Sequence, residues 1–161
     1  MTPETPTRTI VVGYDGSPSA HAAVEHAIDR AGPSGRLVLV HAYQVPADYI
    51  GATYYNGMVE DAAQHAADLM DGLERDCERV LGVDHKHDIS TGAAAPAIIR
   101  AAEAYRADEI VIGSRGVGRV RALLGSVAHD VLHRAKCPVT VIPERMVAAW
   151  TDTPAEAIAA V

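Results

Sequence analysis

The chain has 161 residues, 48% of them hydrophobic and 22% charged, with a formal charge of −7 at neutral pH. That is enough chain for one domain with a substantial core. The acidic balance argues against a nucleic-acid polymer as partner, since such binding needs clustered lysine and arginine. No stretch approaches the 18 or so apolar residues of a membrane span. The first eight residues have neither the basic start nor the apolar run of a signal peptide, so the cytoplasm is the expected compartment.

In chain order, Thr-Ile-Val-Val-Gly-Tyr at 9–14 reads as a buried strand. Ser17 suits a helix N-cap and Pro18 the first helical position. Behind them Ala20, Ala23, Val24, Ala27, Ile28 and Ala31 recur at helical spacing. Gly-Pro-Ser-Gly at 32–35 closes that helix, and 36–43 is the second strand. A longer loop is expected over 44–57, with Tyr49, Tyr54 and Tyr55 either walling a base or packing locally. Residues 58–81 carry one apolar stripe from Val59 to Val80 and predict a single helix of about six turns. Polar alternation over 83–91 fits an edge strand. Helix follows at 93–105, strand at 109–113, helix at 126–135 and strand at 138–142. Five strands, most of them solidly apolar, alternating with four helices predict an α/β fold: an open parallel sheet with helices on both faces.

Residues 1–143 form the expected domain and 144–161 an appendage, where Thr153-Pro-Ala-Glu156 has the form of a capping box opening a short helix. Cys77 and Cys137 read as small core hydrophobes rather than a disulfide.

Gly113-Ser-Arg-Gly116 follows the fourth strand, and Gly125-Ser126 opens the fourth helix. A helix start offers free N–H groups to an anion, and glycines let a phosphate approach the backbone. Ligands of open parallel sheets sit beyond the carboxyl ends of the strands. Here those ends are Asp15, residues 41–43 and the Gly113 loop. Each has a plainer reading as well: Asp15 as a turn residue, Ser126 as an N-cap. Of the loop arginines, Arg115 stands between the glycines, whereas Arg119 and Arg121 suit solvent or an interface. Gly116-Val-Gly118 does not complete a dinucleotide fingerprint, because position 121 is arginine. His129 and His133 have i, i+4 spacing but lack the glutamate of a metalloprotease motif and any third ligand, so no metal site is expected there. His85 and His87 read as polar alternation on the edge strand.

Taken together, Ile-Val-Val-Gly-Tyr-Asp-Gly-Ser at 10–17, Gly113-Ser-Arg-Gly116 with Gly125-Ser126-Val127, and Cys-Pro-Val-Thr-Val-Ile at 137–142 resemble the universal stress protein family over residues 7–143. The resemblance implies a Rossmann-like sheet of order 3-2-1-4-5 and a homodimer through the last strand, Pro138 to Ile142. It also implies, in one branch, an ATP site marked Gly-x2-Gly-x9-Gly-Ser/Thr. Here eight residues, not nine, separate Gly116 from Gly125. ATP, alone or with Mg²⁺, is the first ligand implied, with AMP and cyclic AMP as other adenine nucleotides the shorter loop would admit. Carried onto this chain, the binding residues are Gly13, Asp15, His41, Ala42, Gly113, Arg115, Gly116, Gly125, Ser126, Val127 and Ala128. No catalytic residue is assigned, since no P-loop and no placed general base are evident. The expected function is a nucleotide-binding regulatory module of the stress response. A slow Mg-dependent ATPase and a nucleotide-independent dimeric scaffold are the alternatives.

Overall fold

The computed structural model describes residues 8–45, 52–114 and 124–143, with 52–54 by backbone alone. Strands β1 (Thr9–Gly13), β2 (Arg36–Tyr43), β3 (Asp84–Thr91), β4 (Glu109–Gly113) and β5 (Val139–Ile142) alternate with helices α1 (Pro18–Ala31), α2 (Ala52–Asp76), α3 (Ala94–Ala104) and α4 (Ser126–Arg134). The strands form one parallel sheet in the order β3-β2-β1-β4-β5.

The period-two geometry of a strand sends successive side chains to opposite faces. Ile10, Val12, Leu37 and Leu39 accordingly join Val24, Ile28, Met70 and Leu73 in the core beneath α1 and α2. Val11, Val38, Val40, Ile110 and Ile112 join Ile98, Ala101 and Val131 in the core beneath α3 and α4. The all-aliphatic strands are thus buried on both faces, which is why they read as continuous apolar runs.

Helix α1 starts as its sequence dictates. The Ser17 hydroxyl accepts from the Ala20 N–H at 3.2 Å, Pro18 takes the first helical position, and Gly32 ends the helix with φ of 68°. Helix α2 departs from the expected bounds at both ends. It begins at Ala52, so Tyr54 and Tyr55 are helical and the expected loop over 44–57 is shorter. Exposed Asn56 and Gly57, poor helix formers, hid the first turns. At the other end the chain leaves the helix at Cys77 and continues as a 3₁₀ turn, Glu78–Gly82. Val80 stays fully buried through this change of pitch, so the apolar stripe ran on past the true end of the helix.

Cys77 and Cys137 are both free thiols. Burial, together with a hydrogen bond to the Glu25 carboxylate at 2.9 Å, pushes the Cys77 thiol up to about 11. Strand β3 lies at one sheet edge and β5 at the other. Glu109, buried beside β5, accepts from Arg30 at 2.9 Å and from the Thr140 hydroxyl at 2.6 Å. Burial alone would push its carboxyl up; the Thr140 and Arg30 hydrogen bonds and the Arg30 charge outweigh this and hold it below the usual glutamate range. The segment 144–161, Tyr49, Arg119 and Arg121 lie outside the described residues.

Candidate functional site

Strand order reverses between β1 and β4, where the connection from β1 runs to β2 on one side and the chain later returns to place β4 on the other. The splayed loops at such a point leave a crevice beyond the strand ends. A cavity of about 680 Å³ lies there, within the ordinary range of small-molecule sites. Gly13 at the end of β1 with Tyr14 and Asp15 after it, Val40 to Ala42 of β2, and Ile112 and Gly113 of β4 with Ser114 after it line the cavity, with the first turn of α4 along one side and Ile98 of α3 as part of the apolar wall.

The polar groups converge from three strand ends. Asp15 Oδ1 accepts from the Ser17 N–H at 3.0 Å, an Asx turn that feeds α1. The turn role and a ligand role are compatible, because the turn engages one of the two carboxylate oxygens. His41 is held by its Nδ1–H, which donates to the Tyr14 carbonyl at 2.8 Å and ties β2 to the β1 turn. Its Nε2 is then the nitrogen available to a ligand. Tyr14 bonds His21 Nε2 through its hydroxyl at 3.0 Å, ring edge to ring face. Burial first, then the charges of Asp76 and Asp15, raise the Tyr14 phenol to about 12, so it remains a neutral donor.

The wall supplied by α4 is the N-terminal end of that helix. Gly125 is the N-cap and brings no side chain to cap the helix; its own N–H donates to the Ser114 carbonyl at 2.7 Å. The helical ladder begins only with the His129 N–H on the Gly125 carbonyl at 2.9 Å. The N–H groups of Ser126, Val127 and Ala128 therefore have no partner within the helix, and the dipole adds partial positive charge there.

Of the residues singled out in the sequence, Gly13, Asp15, His41, Ala42, Gly113, Gly125, Ser126, Val127 and Ala128 all line this one cavity. Arg115 and Gly116 lie outside the described residues. Two of the glycines have a packing reason of their own. A Cβ on Gly13 would stand 2.7 Å from Ile98 Cδ1, and one on Gly113 would stand 2.9 Å from the carbonyl carbon and Cβ of Ser19 on α1. The residues called from sequence did not include Tyr14, Ala20, Val40, Ile112 and Ser114, nor Ala94, Ile98, Leu124, His129 and Asp130, which also line the cavity. Ile98 belongs to the helical stripe of α3, and nothing in its spacing separates a cavity wall from a core position. Among the described lining residues the charged side chains are Asp15 and Asp130, and no lysine or arginine joins them.

The universal stress protein family model matches residues 6–143. A universal stress protein of Thermus aquaticus is 35% identical over 138 residues, covering 84% of this chain and 98% of its own. A Mycobacterium tuberculosis universal stress protein, 34% identical over 146 residues, is longer, and the chain spans 49% of it. Among solved structures, a universal stress protein from Lactobacillus plantarum superposes with a TM-score of 0.72 at 26% identity, covering 86% of this chain and 99% of that one. A universal stress protein solved in complex with cAMP superposes with a TM-score of 0.63 at 27% identity, covering 86% and 98%.

Proposed function

The chain belongs to the universal stress protein family, and on that premise we propose that its cavity binds an adenine nucleotide and that the protein is a nucleotide-binding regulatory module. One observation carries this reading. A nucleotide-sized cavity at the reversal of strand order is bounded on one side by a helix N-terminus whose first three N–H groups have no partner in the helix. In this reading the phosphate lies against Ser126, Val127 and Ala128, with the Ser126 hydroxyl as a further donor. The base and ribose lie along the apolar wall of Val40, Ala42 and Ile98. Asp15 accepts from a ribose hydroxyl or a base amine, and His41 Nε2 meets the base. Arg115 and Gly116 complete the phosphate loop.

ATP is the ligand that the family motif implies, and Mg²⁺ would accompany it with the other Asp15 oxygen as a hard ligand. Cyclic AMP is the second reading, favoured by three observations. The solved relative with cAMP shares this fold and 27% identity, the loop from Gly116 to Gly125 is one residue shorter than the ATP pattern, and the described lining carries two carboxylates. A singly charged phosphate is repelled less by Asp15 and Asp130 than a triphosphate is.

The proposal extends to the rest of the molecule. Residues 1–143 are the binding domain and 144–161 an appendage. A homodimer forms through β5, and the protein acts in the cytoplasm. No helix among the described residues is long and apolar enough to cross a membrane. At β5 the Pro138 and Ile142 carbonyls accept from Ile110 and Ser114, so by alternation the peptide groups of Val139 and Val141 face away from β4, where no described strand pairs with them and a second copy would.

Ser126→Glu tests the site. A carboxylate about 4 Å from the phosphate, at an effective dielectric near 20, opposes binding by about 4 kcal/mol, or roughly a thousandfold in affinity. Calorimetric titration of the variant should show no measurable nucleotide binding while circular dichroism stays native. Wild-type affinity in a folded variant would remove the phosphate from α4.

A further inference from the structure

We propose that Glu74, His85 and His87 form a binding site for one divalent transition-metal ion, with zinc preferred. None of the three lines the nucleotide cavity, and the inference does not depend on that reading.

The site follows from the edge strand and the helix that crosses it. Residues 85 and 87 alternate onto the α2 face of β3, in register with the buried Leu37 and Leu39 of β2. On α2, Met70 and Leu73 are fully buried against that same face, and Glu74 stands one turn beyond Met70 and next to Leu73. The packing of α2 on the sheet therefore delivers a carboxylate to two histidines on a strand.

The distances are those of a ligand set. Glu74 Oε1 is 3.1 Å from His85 Nε2 and 3.2 Å from His87 Nε2. Ligands about 2.0–2.1 Å from a tetrahedral zinc lie about 3.3 Å from one another. All three donor atoms fall within 4.8 Å, so a small rotation of the rings closes the triangle.

The hydrogen bonds around the histidines leave room for a cation. His85 Nδ1–H donates to the Val83 carbonyl at 2.9 Å. The 3.1 Å contact of Nε2 with Glu74 Oε1 is a hydrogen bond when the ring carries a second proton, and the place of a cation when Nε2 keeps its lone pair. A backbone carbonyl behind the ring is also the usual outer support of a metal-bound histidine. The buried His87 Nε2 makes no hydrogen bond of acceptable geometry, although the same Glu74 oxygen is near. Two nitrogen lone pairs and a carboxylate gathered on one point are stabilised by a positive ion between them.

The donor set selects the ion. Two imidazoles and one carboxylate suit zinc and its neighbours in the first transition row, whereas Mg²⁺ and Ca²⁺ take oxygen shells. Three protein ligands leave a fourth position for water or an incoming donor. The ion would clip α2 to the edge strand β3, which among the described strands pairs with β2 alone.

The test uses the full chain, free of any tag and stripped with a chelator, titrated with Zn²⁺ against a chromophoric competitor. One equivalent should bind, Co²⁺ should give the intense visible bands of a four-coordinate site, and the melting temperature should rise with Zn²⁺ but not with Mg²⁺ or Ca²⁺. Glu74→Gln and His87→Gln should each lower the affinity by about a hundredfold or more. His133→Ala, which breaks the other close histidine pair, should leave it intact. Glu74 is on the surface of α2, so Glu74→Gln serves if His87→Gln fails to fold. Absence of stoichiometric binding would overturn the proposal. Binding that survives both ligand variants, or is lost with His133→Ala, would overturn it as well.

Discussion

Replacing Gly113 by alanine adds one methyl group where α1 leaves no room for it. The new Cβ would lie 2.9 Å from the carbonyl carbon and Cβ of Ser19, and Ser19 is itself only 2% exposed. Ordinary carbon contacts are about 3.5–4.0 Å, so the first turn of α1 must retreat from β4 by roughly half an ångström or more. Backbone atoms yield less readily than the end of a flexible side chain, and overpacking of this kind costs about 1–3 kcal/mol. For a chain of this size each kcal/mol moves the melting temperature by about 2–4 °C, giving a fall of roughly 2–12 °C. Gly57→Ala is the internal control. Gly57 is exposed on α2 with nothing within 4 Å of the added atom, and removing a helical glycine should gain about 0.5–1 kcal/mol. Differential scanning fluorimetry of both variants beside the wild type reads the opposed shifts directly. A Gly113→Ala protein that melts at or above the wild type would refute the packing argument and leave ligand approach as the only reason for this glycine.

Other outcomes follow from the same structure. Glu109→Gln removes the charge that Arg30 and Thr140 hold in the sheet, and urea titration should show a loss of about 1–3 kcal/mol at pH 7. Because the folded carboxyl lies below its usual value, its contribution is full above the ordinary glutamate value of about 4.3 and fades as pH falls through the folded value. The gap between wild type and variant should therefore narrow on acidification, and a gap independent of pH down to 3 would contradict the assignment. Val141→Pro removes an outward N–H from β5 while sparing the bonds to β4 at Pro138 and Ile142. Light scattering should then report a folded monomer in place of the dimer proposed for the wild type; an unchanged dimer would place the interface elsewhere.

The sheet was legible because its chemistry is redundant. Continuous β-branched runs marked four strands, and the Ser17-Pro18 start and Gly32 stop bracketed α1 to the residue. The polar alternation of β3 placed it at an edge before any pairing was known. Helix α2 was harder. Asn56 and Gly57 carry the signature of a loop, yet tertiary contacts along the rest of the helix override two weak residues. At Cys77 the change to 3₁₀ pitch keeps Val80 buried, so hydrophobic periodicity has no break to show. The polar half of the cavity lining could be read from strand ends and a helix start. Its apolar half could not, because Ile98 looks like any core residue and serves as one. The Glu74, His85 and His87 cluster was invisible for a different reason: its members come from a helix and the strand after it, and only the way α2 packs on the sheet edge turns them toward one another.

The central claim is that the cavity at the reversal of strand order binds an adenine nucleotide. Its most direct test is to denature the purified protein, identify any released small molecule by mass spectrometry, and titrate the refolded protein calorimetrically with ATP and cyclic AMP, each with and without Mg²⁺. Saturable one-to-one binding of an adenine nucleotide, abolished by Ser126→Glu, is the expected result. No released nucleotide, and no heat with either ligand, would contradict it and leave the protein to act through its surfaces.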